Sequence, residues 1–125
     1  MSARFAADVI DAADASKILG IRAGTKPHRF IGVWVVVVER RIFIRSWGVS
    51  AGGWFDTFLG EPRGTMQLGK RELPVRAIRT RSERLKTAVE HAYAAKYNTR
   101  ASQTYVRGFK SKRRRDATVE LVPWT

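Results

Sequence analysis

The chain has 125 residues and a mass of 14.2 kDa, which is enough for one domain and too little for two. Its 44% apolar and 28% charged residues are typical of a globular protein, and the absence of cysteine excludes disulfides, thiolate catalysis and cysteine-ligated metals. The longest apolar run, Ile31 to Val38, is too short to span a bilayer, and no signal-peptide core is present. We therefore expect a soluble cytoplasmic protein with no membrane association.

The charge balance is unusual. Lysine and arginine number 24 against 11 acidic residues, which gives a net charge of +13. Such a balance is typical of proteins that bind a polyanion, such as nucleic acid, an anionic membrane surface or a phosphorylated ligand. The alternative is that the charge only keeps a small protein in solution.

The first half of the chain predicts one helix and a hairpin. Apolar residues recur at helical spacing from Ala6 to Ile18, and a short strand follows at Ile21–Ala23. After a Gly/Pro loop, Phe30–Val38 is β-branched and aromatic on both faces, which indicates a strand buried on two sides. Glu39-Arg40 is then the gap of a hairpin whose second strand is Arg41–Trp47. In this second strand, one face carries Ile42, Ile44 and Ser46, and the other carries Phe43, Arg45 and Trp47.

The second half predicts another hairpin, a long helix and a closing strand. A loop at residues 48–53 leads to a short helix at residues 54–59, and strands follow at residues 65–68 and 71–79. Pro74 places the second of these strands at an edge, or makes it begin after the proline. Thr80 and Glu83 have the spacing of a capping box for a helix to Asn98. The buried stripe of that helix is predicted to be Leu85, Ala88, Val89, Ala92, Tyr93 and Tyr97, and Ala117–Val122 is predicted to be the last strand.

This order of elements predicts a mainly β fold. We expect a single domain over residues 1–125: a six-stranded antiparallel split β-barrel of Greek-key type. It has an N-terminal helix within residues 1–16, one long helix before the last strand, and a basic loop at residues 107–115.

Several separated motifs carry a family resemblance. They are Val33–Val38, Arg41–Ser46, Gly53-Trp-Phe55, Met66–Gly69, Ala92–Tyr97 and Leu121-Val-Pro123. In this order and spacing they resemble a bacterial family of unknown function. The layout is similar to the split-barrel proteins that bind FMN or deazaflavin, which include pyridoxamine-phosphate-oxidase-like enzymes and deazaflavin-dependent nitroreductases.

The resemblance implies a homodimer with FMN or a deazaflavin in a groove at its interface, acting as a small oxidoreductase. Lys26 and Arg29 before the long strand, with Arg45 and Ser46 after the next strand, would then meet the phosphate end. Trp47 and Trp54 would line the ring. One departure is that Gly24–Arg29 only loosely resembles the Gly-Arg/Lys-x-Ser-Gly stretch usual in the deazaflavin group.

The residues themselves leave alternatives open. A guanidinium can clamp a phosphate in bidentate fashion and a hydroxyl can complete the cradle, but Arg45 and Ser46 could equally be ordinary strand-end residues. Among the tryptophans, Trp34 lies inside the apolar run and is expected in the core. Trp54 is the better candidate for a pocket wall.

A basic run supports a second function. It consists of Arg107, Lys110, Lys112, Arg113, Arg114 and Arg115, with Tyr105 and Phe109 interleaved. Such a run can neutralise nucleic-acid phosphates while its aromatic rings stack on bases. The alternatives are a solvated mobile loop and a contact for cofactor phosphates.

No catalytic or metal motif is present in the sequence. His28 and His91 lack metal-ligand partners at helical spacing, so no metal site is predicted. Nucleophile elbows, Walker A loops and Gly-x-Gly-x-x-Gly are absent. Three functions therefore remain: a cofactor-dependent oxidoreductase, a non-catalytic module that binds nucleic acid or another polyanion, and a cofactor-free scaffold.

Overall fold

The computed structural model describes residues 4–48 and 51–124. The elements in chain order are α1 (Ala7–Ala15), β1 (Leu19–Ala23), β2 (Ile31–Val33), β3 (Val35–Val38), β4 (Arg41–Arg45), α2 (Trp54–Gly60), β5 (Arg63–Leu68), β6 (Arg71–Arg79), α3 (Glu83–Lys96), a 3-10 turn (Arg100–Ser102), α4 (Gln103–Gly108), α5 (Lys112–Asp116) and β7 (Thr118–Pro123). In this part of the chain, no helix is long and apolar enough to cross a membrane.

The strands form one antiparallel sheet that nearly closes into a barrel. Its order is β2-β1-β5-β6-β7-β4-β3, so its two outermost strands are neighbours in sequence and only Trp34 separates them. The series β5-β6-β7-β4 places the first of four successive strands beside the last, which is a Greek-key arrangement. The predicted mainly β barrel with its helices is confirmed. Residues 4–48 and 51–124 contain seven strands and not six, because the expected strand Phe30–Val38 breaks at Trp34.

Two apolar cores lie on opposite faces of this sheet. The barrel interior holds residues such as Val35, Ile42 and Ile44, and α1 and α2 add Ile10 and Phe58 to it. The outer core lies between β3–β4 and helices α3 and α4. It contains Val36, Phe43, Leu85, Val89, Tyr93, Tyr97, Val106 and Phe109. Alternate residues of β3 and β4, such as Val35 and Val36, therefore enter different cores. The expectation that the run Phe30–Val38 is buried on two sides holds only for this part of it, because Ile31 and Gly32 near its start are exposed.

The prediction for Pro74 is wrong. Strand β6 starts at Arg71 and lies between β5 and β7. The ladder with β7 begins only at Val75, and beyond it the Trp124 amide donates to the Pro74 carbonyl. The Pro74 carbonyl therefore points toward β7. Because the nitrogen and carbonyl of a strand residue point to the same side, the proline nitrogen also faces β7 and not β5. No β5–β6 ladder bond is lost.

The start of the long helix also differs from the prediction. Ser82 caps α3, since its side chain accepts a hydrogen bond from the Leu85 amide. Thr80 is buried, and its amide donates to the Thr118 carbonyl as the chain leaves the sheet. The extended segment before Ser82 therefore delays the helix by two residues.

The β3–β4 turn stores backbone strain. Glu39 and Arg40 have φ angles of 54° and 60°, the left-handed region that a two-residue type I′ turn requires and that side chains disfavour. We expect the double substitution Glu39→Asn and Arg40→Gly to raise the free energy of unfolding by about 1–2 kcal/mol, measured by urea denaturation.

The matched control for this turn is Glu39→Gln with Arg40→Gln. Both side chains also form exposed ion pairs, with Arg84 and Asp11 respectively, and these contribute little. The glutamine pair removes the charges and keeps the strain, so its stability should lie within about 0.5 kcal/mol of the parent. Equal stability of the two double variants would contradict the strain argument.

Candidate functional site

The barrel splits where β2 and β4 diverge. The β3–β4 ladder ends at the pair Val35–Ile44, after which the chain on one side bends away to pair with β1. A groove of about 590 Å³, here called the split groove, opens between residues 31–34 and 45–48. Its volume lies within the range of small-molecule sites in proteins.

A tyrosine hydroxyl holds the split open. Tyr93 of α3 accepts a hydrogen bond from the Arg45 amide (3.0 Å) and donates to the Trp34 carbonyl (2.9 Å). Trp34 and Arg45 would form the next pair of the β3–β4 ladder, so the hydroxyl stands in place of a direct strand–strand bond. The Tyr97 hydroxyl accepts from the Val35 amide (2.9 Å) and so fixes the same bend.

Aromatic rings line the split groove. Trp34 stacks on Tyr97 with ring centroids 4.2 Å apart, and its edge meets Tyr105 and Phe109. Trp47 and Trp54 complete the wall of rings. The groove therefore offers several aromatic faces and edges to a flat, mostly apolar group.

Arg45 is not available to a ligand. Its side chain is fully buried, and it donates to Thr118 Oγ1, to the carbonyls of Lys86 and Phe109, and to Glu90. These are four of the five N–H groups of a guanidinium. Burial lowers the pKa of Arg45, against the opposing effect of Glu90. This corrects the expectation that Arg45 clamps a phosphate, because its guanidinium already binds groups inside the protein.

Ser46 and Trp47 lie on the groove wall beside Arg45. The Ser46 hydroxyl is buried and donates to the Gly48 carbonyl, so its proton is not free for a phosphate oxygen. Trp47 is 38% exposed, and the Arg114 guanidinium stacks 3.6 Å from its ring centroid. Gly108 packs tightly against the six-membered part of the same indole, where an added Cβ would lie 2.4 Å from the ring.

A second cavity adjoins the split groove. It has a volume of about 520 Å³ and shares Ile31 and Trp54 with the groove. Lys26 and His28 line it and are exposed. Its other walls include the Gly24-Thr25 backbone. Lys26 and Trp54 therefore line the same cavity.

Arg29 lines neither cavity, although it is exposed. The predicted loop at residues 48–53 contributes Gly48 to the split groove and Gly52 to the second cavity. Residues 49 and 50 of that loop lie outside the described part of the chain, as do residues 1–3 of the predicted N-terminal segment.

The basic run is helical and not a loop. Arg107 lies in α4, and residues 112–115 lie in α5. Arg115 pairs with Glu83 and Glu90, Lys112 pairs with Asp116, and Arg114 stacks on Trp47. The predicted nucleic-acid residues therefore form two groups. Lys112, Arg114 and Arg115 contact other side chains, whereas Arg107, Lys110 and Arg113 are exposed and form no ion pair within residues 4–48 and 51–124. Within residues 4–48 and 51–124, no cluster of potential metal ligands occurs.

Three residues of the split groove were not predicted from the sequence as groove residues. Trp34 was expected in the core, yet it is only partly buried and faces the groove. Tyr105 and Phe109 were assigned to a nucleic-acid strip, although Phe109 is buried. Their i, i+4 spacing was the available signal, because it places both rings on one face of α4.

Comparison with known proteins identifies a family. A family model described as an uncharacterised protein conserved in bacteria (DUF2255) matches residues 7–121. The crystal structure of the conserved hypothetical protein Rv2991 from Mycobacterium tuberculosis is similar, with a TM-score of 0.59 at 15% identity. That match covers 96% of this chain and 79% of the other. No curated protein matches the sequence.

Proposed function

The chain belongs to the bacterial DUF2255 family, and we propose that its split groove binds a planar, phosphate-bearing cofactor of the flavin or deazaflavin class. The observation that carries the proposal is the pairing of two adjoining cavities. One is lined by five aromatic side chains, and the other has a cationic lysine at its wall.

The described residues fit the parts of such a ligand. Trp34, Trp47 and Tyr105 offer ring faces or edges to a flat heterocycle. Lys26 and the backbone of the Gly24-Thr25 loop suit the phosphate end, since a lysine binds phosphate as a point charge. Arg45, contrary to the expectation from sequence, has no role in this contact. It supports the groove wall from behind.

The chemistry of the proposal belongs to the cofactor. A flavin or deazaflavin supplies hydride transfer when bound, and the protein contributes binding, orientation and exclusion of water. The chain would then be a small oxidoreductase. Ile31 and Trp54 lie at the junction of the two cavities, where they can fix the position of a ligand that extends through both. The homodimer suggested by the family resemblance stays a prediction.

The test is a titration of the purified chain with FMN and, separately, with a deazaflavin. We expect tryptophan emission to be quenched and the visible absorption of the ligand to remain after desalting. Lys26→Ala should weaken binding about tenfold, because a charge-assisted hydrogen bond is lost. Lys70→Ala is the matched control, since Lys70 is exposed in the β5–β6 turn and lines neither cavity.

Two results would count against the cofactor proposal. One is that neither ligand binds, which would favour the cofactor-free scaffold. The other is binding that Lys26→Ala and Lys70→Ala weaken equally, which would indicate general attraction of an anion to a basic protein.

A further inference from the structure

The helices after α3 carry an unbalanced positive charge. Seven basic residues and no acidic one lie between Arg100 and Arg115. Arg100 lies in the 3-10 turn, and the other six lie in α4, in α5 and in the turn between them. This segment folds back over the strand end at Trp47. The chain therefore places a basic surface directly beside the split groove.

Part of this charge has no partner within residues 4–48 and 51–124. Arg107, Lys110 and Arg113 are exposed and form no ion pair there, whereas Arg115 and Lys112 are paired with carboxylates. Arg107 and Lys110 also flank Gly108 and Phe109, which both pack on Trp47. The three cations are thus held on a short, structured segment.

Two exposed aromatic rings lie on the same surface. Tyr105 is 49% exposed and Trp47 is 38% exposed, and their centroids are 5.0 Å apart in an edge-on contact. Arg114 stacks on the Trp47 ring and adds a fourth cation to the cluster. Aromatic platforms beside cationic side chains are the combination that binds single-stranded nucleic acid.

We propose that this surface binds single-stranded nucleic acid. We define the basic aromatic face as Tyr105, Arg107, Lys110, Arg113 and Arg114 together with Trp47. The cations contact the phosphates, and the exposed Tyr105 ring stacks on an unpaired base, while Trp47, covered by Arg114, supports Tyr105 from the side. A duplex cannot offer an unpaired base for such stacking, because its bases already stack on one another.

The structure argues against a membrane surface as the partner. A helix that lies on a bilayer needs a continuous apolar face turned outward. Here the apolar residues Val106 and Phe109 point into the outer core, and the helices have only six and five residues. Tyr105 is the one large apolar side chain that α4 exposes.

The test is fluorescence anisotropy of the full chain with labelled single strands of about 12 nucleotides, one of RNA and one of DNA. Four phosphate contacts predict that the logarithm of the binding constant falls linearly with the logarithm of the salt concentration, with a slope of about −3. A 12-base-pair duplex and vesicles of phosphatidylserine should bind at least about tenfold more weakly.

The decisive variant reverses three charges: Arg107→Glu, Lys110→Glu and Arg113→Glu. The matched control is Lys70→Glu, Arg76→Glu and Arg81→Glu, which makes the same change in net charge at three other exposed positions. We expect the first variant to lose about 100-fold in affinity and the control to lose less than about threefold. Tyr105→Ala should cost about tenfold through lost stacking.

Equal losses in the two triple variants would overturn the proposal, as would equal binding of the duplex or the vesicles, or no binding at about 50 mM salt. The outcome is separable from that of the cofactor proposal. The three reversed residues line neither cavity, so a flavin titration of the same variant should be unchanged.

Discussion

Arg45→Ala is expected to lower the free energy of unfolding by about 3–5 kcal/mol, measured by urea denaturation. The substitution removes a fully buried cation that lies 3.2 Å from Glu90 and strips donors from three buried oxygens. Those oxygens belong to Thr118, Phe109 and Lys86, so one side chain ties β7, α4 and α3 to strand β4.

The matched control is Arg40→Ala, at an arginine on the same hairpin whose ion pair with Asp11 is exposed. Its cost should be within about 0.5 kcal/mol. The comparison also separates two roles for Arg45. If Arg45 were a ligand-binding residue, its alanine variant would keep the parent stability and lose only binding. That result would contradict the buried network described above.

Tyr93→Phe is expected to cost about 1–3 kcal/mol, because it leaves the Arg45 amide and the Trp34 carbonyl without their shared partner. The phenyl ring keeps the packing against Tyr97 and Phe109. Tyr105→Phe is the control, since that ring is exposed, and it should be neutral. A neutral Tyr93→Phe would show that the split between Trp34 and Arg45 does not depend on the hydroxyl.

The same hydroxyls predict a loss of stability at high pH. Burial raises the pKa of the Tyr93 phenol above its ordinary value of 10.0 and that of Tyr97 to about 12. The folded state therefore keeps these protons more tightly than the unfolded chain. Their contribution is complete below pH 10 and is lost as the pH rises through the folded-state pKa.

The measurement for this pH dependence is the stability of the parent chain and of Tyr97→Phe from pH 9 to about 12. The gap between the two should shrink over the upper part of that range, because only the parent carries the phenol at position 97. A gap that stays constant would mean that Tyr97 does not titrate with unfolding. Lysines that titrate in this range are present in both proteins and cancel in the difference.

Local patterns predicted most of the elements because each is specified by neighbouring residues. The alternation of Ile42 and Ile44 with Phe43 and Arg45 correctly divided β4 into two faces. The turn at Glu39-Arg40 was found from the gap between two apolar runs, although its residues are poorly suited to its backbone angles. The apolar stripe of α3, with Leu85, Val89 and Tyr93, was equally readable.

The misjudged residues are those whose partners are distant in sequence. Arg45 was placed correctly on the face opposite Ile44. The sequence could not show that α3 and α4 cover that face, because its bonds reach Glu90, Phe109 and Thr118. Trp34 was assigned to the core because its neighbours are apolar. It reaches the groove because the hydroxyls of Tyr93 and Tyr97 bend the chain there.

By itself the sequence determined the class of fold, the order of the main strands with α1, α2 and α3, and the two faces of strand β4, since these depend on periodicity and turn residues a few positions apart. Only the tertiary structure decided where the barrel splits, which cations are exposed to solvent and which are buried with partners inside the protein. Those outcomes depend on which faces meet across tens of residues. A guanidinium has the same formula whether it lies in water beside a groove or beneath a helix.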